Sequence, residues 1–153
     1  MAICMRYLKD SSKAKDAVQE TLIAVFKSIK QYKGDGALGA WVGRIAVNIC
    51  LREIRMSRNF SDISLLEFSA TEISVASHHL EAEDIIYLIN QMPDTLRLVF
   101  NLNLIEGYSH LEISEMLGIS ESSSRVYLLR ARNFLKEKIT KNWEREAKVF
   151  KYN

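Results

Sequence analysis

The sequence predicts an all-α protein made of two small helical domains joined by an acidic linker. Apolar residues recur at helical spacing through most of the 153 residues, and no stretch alternates like a strand between hairpin turns. Charge is also divided sharply along the chain. Residues 1–58 hold 11 basic and 5 acidic side chains, whereas 59–84 hold 6 acidic ones and no Lys or Arg. Residues 85–153 return to 10 basic against 8 acidic, with a net +5 in the last 33. The segment 59–79 is rich in Ser and acids and weakly periodic, so it reads as the linker. That places the domains at 1–58 and 80–146, followed by a tail at 147–153.

Composition narrows the function. A hydrophobic content of 48% suits a globular protein with a real core. No uncharged apolar run is long enough to span a bilayer, and the start lacks a signal-peptide pattern, so a cytoplasmic protein without membrane insertion is expected. Cys4 and Cys50 are distant in sequence and form no CxxC, which argues for two reduced thiols rather than zinc or a disulfide framework. Of the three histidines, His78 and His79 fall in the linker and His110 in a helix. They build no nucleophile–base constellation and no metal spacing, so neither enzyme, metal nor cofactor is expected. Two basic ends around an acidic strap point instead to two modules that contact a polyanion.

Helices are predicted at 2–9, 13–31, 38–57, 80–91, 94–105, 109–117 and 121–146. In 13–31, Val18, Leu22, Val25, Phe26 and Ile29 share one face and read as a core stripe. The other face gathers Asp16, Gln19, Glu20 and Lys27 around Ile23. An apolar side chain among charges there can mark a protein-binding surface, although single exposed isoleucines are also common.

Gly34, Gly36 and Gly39 fit G-x-G-x-x-G, the spacing of a pyrophosphate cradle. A cradle needs a strand before the glycines, and the preceding "AVFKSIKQYK" is helical. The helix after the loop says more. At 100° per residue, Trp41, Arg44, Asn48, Arg52 and Arg55 fall in a stripe about 80° wide. Val42, Ala46, Ile49 and Cys50 lie opposite and face a core. Arginines contact phosphate, Asn hydrogen-bonds a base edge, and an aromatic ring stacks on an unpaired base. Together they describe a surface for a single strand or distorted duplex of nucleic acid, against the plainer reading of a solvated helix face.

Pro93 precedes "DTLRLVF" and suits the first turn of a helix. Beyond it, "SHLEISEMLGISESSSRVYLLRARNFLKEK" has the pattern of a helix-turn-helix. Ser109 and Glu112 form a capping box, and Gly118 serves the turn. Ile113 and Leu117 point inward, Ser114 permits close crossing, and Ile119 fills the angle. Leu128, Ala131 and Leu135 anchor the second helix. Ser122, Arg125, Val126 and Leu129 face outward, with Arg130 beside them and Arg132 on the opposite flank.

At this point the chain resembles the extracytoplasmic-function (ECF) group of bacterial RNA polymerase sigma factors. "DAVQETLIAVFKSIKQYKGDGALGAWVGRIAVNICLREIR" is similar to sigma domain 2, and "LINQMPDTLRLVFNLNLIEGYSHLEISEMLGISESSSRVYLLRARNFLKEKI" to sigma domain 4. The resemblance implies that Asp16, Gln19, Glu20 and Ile23 dock on the β′ clamp helices of core polymerase. It implies that Gly36, Trp41, Arg44, Asn48, Arg52 and Arg55 hold the melted −10 element. Ser122, Ser123, Arg125, Val126, Leu129 and Arg130 would meet −35 DNA, in a domain that also touches the β flap. The linker would follow the RNA-exit path, and an anti-sigma factor is a further implied partner. Two departures stand out. The start, "MAICMRYLKD", resembles the middle of the first domain-2 helix, and Ser122 and Ser124 replace a glycine and a commonly apolar residue. The competing readings are a stand-alone helix-turn-helix regulator, which would bind a duplex tightly without polymerase, and a nucleotide enzyme suggested only by the glycines.

Overall fold

The computed structural model describes the backbone of residues 1–57 and 82–150 and the side chains of 1–56 and 84–140. The expected linker at 59–79, with His78 and His79, lies outside them. The chain divides into two compact units, Met1–Ser64 and Leu65–Asn153. The described residues are helical, with no strand among them.

Among its described residues the first unit packs three α-helices. Helix α1 (Ala2–Leu8) buries Cys4 and Tyr7 and ends at Lys9 in the left-handed conformation (φ 58°). Asp10 then caps α2 (Ser11–Ser28), its carboxylate accepting from the amides of Ser12 at 2.8 Å and Lys13 at 3.0 Å. A single 3₁₀ turn, Ile29–Gln31, closes α2 before the glycine loop leads into α3 (Leu38–Ser57). The predicted core side of α3 is buried at Ala46, Ile49 and Cys50, and Val47, Leu51 and Ile54 join it. Gly43 is where α1 comes close, since a Cβ there would stand 3.4 Å from Ile3 Cδ1.

The stripe expected to be the core face of α2 is not its core face. Leu22 (61% exposed), Phe26 (83%) and Ile29 (41%) stand in the open, and Val18 and Val25 are only half-buried. The buried side is instead Ala14, Ala17 and Thr21. Small side chains let the helix axes approach closely, and Thr21 spends its hydroxyl on the carbonyl of Ala17 at 2.6 Å. Volume, rather than hydrophobicity, selects the packed face here.

Cys4 and Cys50, distant in sequence, meet between α1 and α3 as free thiols. Burial, followed by the neighbouring Cys4, pushes the Cys50 thiol from 9.0 up to about 12. It therefore stays protonated at neutral pH. Because the unfolded thiol ionises first, stability is lost only as pH rises from about 9 towards about 12.

The second unit is built from α4 (Ala82–Gln91), α5 (Asp94–Phe100), α6 (His110–Leu117) and α7 (Glu121–Phe150). Leu88, Met92, Leu96, Val99, Leu102, Ile113, Leu117, Leu128 and Ala131 fill its core, with Leu135 half-buried at the edge. Pro93 stands at the N-cap of α5, one residue before the first turn, where its carbonyl accepts from the Arg97 amide at 3.0 Å. Helix α7 runs to Phe150, past the predicted end at 146 and into the expected tail. The segment "WEREAKVF" contains neither Gly nor Pro to stop it.

The single helix expected over 94–105 changes pitch. After Phe100 the chain forms a π-helical turn, Asn101–Ile105, closed by the Glu106 amide on the Asn101 carbonyl at 3.0 Å. Asn101 is fully buried there, and neither amide atom of its side chain has a hydrogen-bond partner. Such a group costs about 1–3 kcal/mol of desolvation. Leucine has the same branching and removes that cost, so Asn101→Leu is expected to raise the unfolding temperature of this unit by several degrees. An unchanged or lower temperature in a thermal melt would show that Asn101 is satisfied or that the larger methyls do not fit.

Candidate nucleic-acid interface

In the first unit the glycine loop and α3 bring the predicted −10 residues to one surface. Gly34 (φ 81°) and Gly36 (φ 93°) turn the loop through conformations that a side chain resists. A Cβ at Gly34, Gly36 or Gly39 would meet nothing within 4 Å, so this is an open rim and not a packed corner. The amides of Ala40 (2.9 Å) and Trp41 (3.3 Å) bond the Ala37 carbonyl and start α3. Along the helix, Arg44, Asn48, Arg52 and Arg55 are all exposed and Trp41 is half-buried. Trp41 packs on Tyr32, ring centroids 5.5 Å apart and planes inclined by 43°. The Tyr32 hydroxyl donates to the Gly36 carbonyl at 2.6 Å. Tyr32 escaped the sequence reading, although an aromatic residue directly ahead of a glycine loop is the signal that marks it.

Asp16, Gln19, Glu20 and Ile23 are exposed on α2, and Ile23 (55% exposed) does stand among charges as the spacing predicts. Next to it lies the open apolar strip of Leu22, Phe26 and Ile29. The two predicted surfaces are not independent, because Arg52 of α3 is ion-paired with Glu20 of α2. Lys13 and Glu53 add a second link between these helices at 3.6 Å. Both pairs are about half exposed, where such pairs contribute little to stability.

In the second unit the helix-turn-helix follows its sequence pattern closely. The Ser109 hydroxyl accepts from the Glu112 amide at 3.2 Å, while the Glu112 carboxylate accepts from the Ser109 amide at 2.8 Å. Gly118 (φ 67°) ends α6 in the left-handed region, and the amides of Gly118 and Ile119 both reach the Ser114 carbonyl. Ser120 caps α7 by accepting from the Ser123 amide at 3.0 Å. Ser124, where the family pattern is commonly apolar, is fully buried, and its hydroxyl lies 2.9 Å from His110 Nδ1. That bond ties the first turn of α7 to α6. Ser122, Arg125, Val126, Leu129 and Arg130 are exposed on the outer face, and Ser123 is half-buried in the cap. Arg125 is ion-paired with Glu121, one turn earlier.

Among the described residues no group of His, Cys, Asp and Glu could hold a metal ion, and no helix is long and apolar enough to cross a membrane. The exposed surfaces combine guanidinium and amide donors, carboxylates, aromatic rings and apolar side chains.

Comparison with known proteins matches the chain to two family models. The family described as Sigma-70 region 2 matches residues 1–60, and Sigma-70, region 4 matches 82–135. The ECF RNA polymerase sigma-E factor of Haemophilus influenzae is 28% identical over 138 residues, covering 81% of this chain and 73% of its own. The sigma-E factor of Escherichia coli K12 is 26% identical over 152 residues, covering 90% and 79% respectively. Among solved structures, the sigma factor RpoE bound to the anti-sigma factor NepR from Bartonella quintana superposes with a TM-score of 0.58. It shares 23% identity over 91% of this chain and 88% of that one, and so speaks for the fold. CnrH, solved with the cytosolic domain of CnrY, gives a TM-score of 0.51 at 20% identity over 92% and 79%. With both regions matched in chain order over most of its length, the chain belongs to the sigma-70 family of RNA polymerase sigma factors, in its ECF group.

Proposed function

We propose that this sigma factor directs core RNA polymerase to promoters by dividing recognition between its two units. The observation that supports this best is the pairing, within one chain, of a basic–aromatic stripe suited to unpaired bases with a helix-turn-helix suited to duplex DNA. The first unit docks on the β′ clamp helices through Asp16, Gln19, Glu20 and Ile23. It holds the melted −10 strand with Gly36, Trp41, Arg44, Asn48, Arg52 and Arg55. The second unit lays α7 in the major groove at −35, with Ser122, Ser123, Arg125, Val126, Leu129 and Arg130 towards DNA, and contacts the β flap.

No covalent step, cofactor or metal enters this mechanism, so the protein is not an enzyme, and it acts in the cytoplasm where polymerase and promoter meet. Unstacking a base costs a few kcal/mol, which base capture and polymerase contacts offset. Because the Bartonella quintana factor was solved with an anti-sigma factor, we extend that kind of antagonist to this chain. Gel shift with and without core enzyme tests the proposal. Promoter DNA is expected to shift specifically only when core polymerase is present. Tight, sequence-specific binding by the free chain to a palindromic site would favour a stand-alone regulator instead.

A further inference from the structure

We infer that Tyr32 is a positioning residue for base capture, its hydroxyl holding the glycine loop at a fixed distance from the Trp41 ring. This rests on the reading of the loop and α3 as the −10 strand surface. A loop that passes through two left-handed glycines has wide conformational freedom, and ordering it when a base arrives opposes binding. Nothing packs where side chains would stand at Gly34, Gly36 and Gly39, so packing beneath these glycines does not restrain it.

Tyr32 supplies a restraint from one side. Its own amide bonds the Ile29 carbonyl at 3.2 Å and anchors it to the end of α2's closing turn. Its ring rests on Trp41, which α3 holds, and its hydroxyl reaches the Gly36 carbonyl at 2.6 Å. One side chain thereby links α2, the loop and the start of α3. The Gly36 turn and the Trp41 plate are set in place before any base enters.

Tyr32→Phe tests the hydroxyl alone, since it keeps the ring against Trp41. The measurement is the affinity of the core-bound factor for single-stranded −10 oligonucleotides that differ in each base in turn. We expect Tyr32→Phe to bind about 2- to 10-fold more weakly, the range of one net hydrogen bond, and to discriminate less between bases at the position nearest the loop. The salt dependence should not change, because no phosphate contact is lost. Core binding should match the wild type, and the unfolding temperature should fall by no more than the few degrees that one lost hydrogen bond costs. Wild-type affinity and base preference in Tyr32→Phe would overturn the role of the hydroxyl and leave the −10 reading standing. So would a loss of core binding parallel to the loss of strand binding. Absence of any base preference in the wild-type complex would instead overturn the −10 reading, and this inference with it.

Discussion

Asn48→Ala is expected to lower open-complex formation at promoters by about 5- to 150-fold, the equivalent of about 1–3 kcal/mol for a specific base contact. Asn48 is exposed midway along the α3 stripe, flanked by Arg44 and Arg52 one turn to either side. Its amide offers both a donor and an acceptor to the Watson–Crick or Hoogsteen edge of a flipped base. Alanine removes both and leaves the stripe's arginines in place. The substitution costs the fold little, because the site is on the surface and alanine is the better helix former. Core binding should therefore be unchanged, and thymine reactivity to permanganate across the −10 region should fall. An equal loss of core binding would report misfolding, and unchanged opening would remove Asn48 from base recognition.

Arg125→Ala is expected to weaken −35 binding by a comparable factor, about 1–3 kcal/mol. The outer face of α7 presents Arg125 on its second turn, beside Leu129 and Val126, where a groove-binding helix meets base edges. In the free protein it is ion-paired with Glu121, an exposed pair whose loss subtracts only a few tenths of a kcal/mol from the DNA contact. Titration of duplex −35 DNA with the core-bound factor at several salt concentrations separates two roles. A phosphate contact lowers the salt slope by about 1. An unchanged slope with lower affinity identifies base reading, and unchanged affinity would exclude Arg125 from the contact.

The helix-turn-helix was legible because its signals are local. Ser109 with Glu112, and Gly118, each fix one piece of backbone, and each piece appears where the spacing puts it. The stripe on α3 was legible for a related reason, as a single long helix preserves angular relations between its side chains. The packed face of α2 was not legible. Periodicity finds an apolar side but does not say whether a core or a partner covers it, and the small residues Ala14, Ala17 and Thr21 won the core position. The π-turn at Asn101–Ile105 was hidden because apolar spacing over 94–105 fits one continuous helix. The meeting of Cys4 with Cys50, the Tyr32–Gly36 bond and the Arg52–Glu20 pair depend on tertiary approach, which spacing along one helix does not encode.

Whether this chain directs polymerase to promoters is decided by run-off transcription with purified core polymerase, the factor and a pool of genomic fragments, followed by mapping of transcript starts. Starts are expected only when the factor is added, and they should share two elements at −35 and −10 spacing. Transcription that is independent of the factor, or starts with no shared upstream elements, would contradict that role.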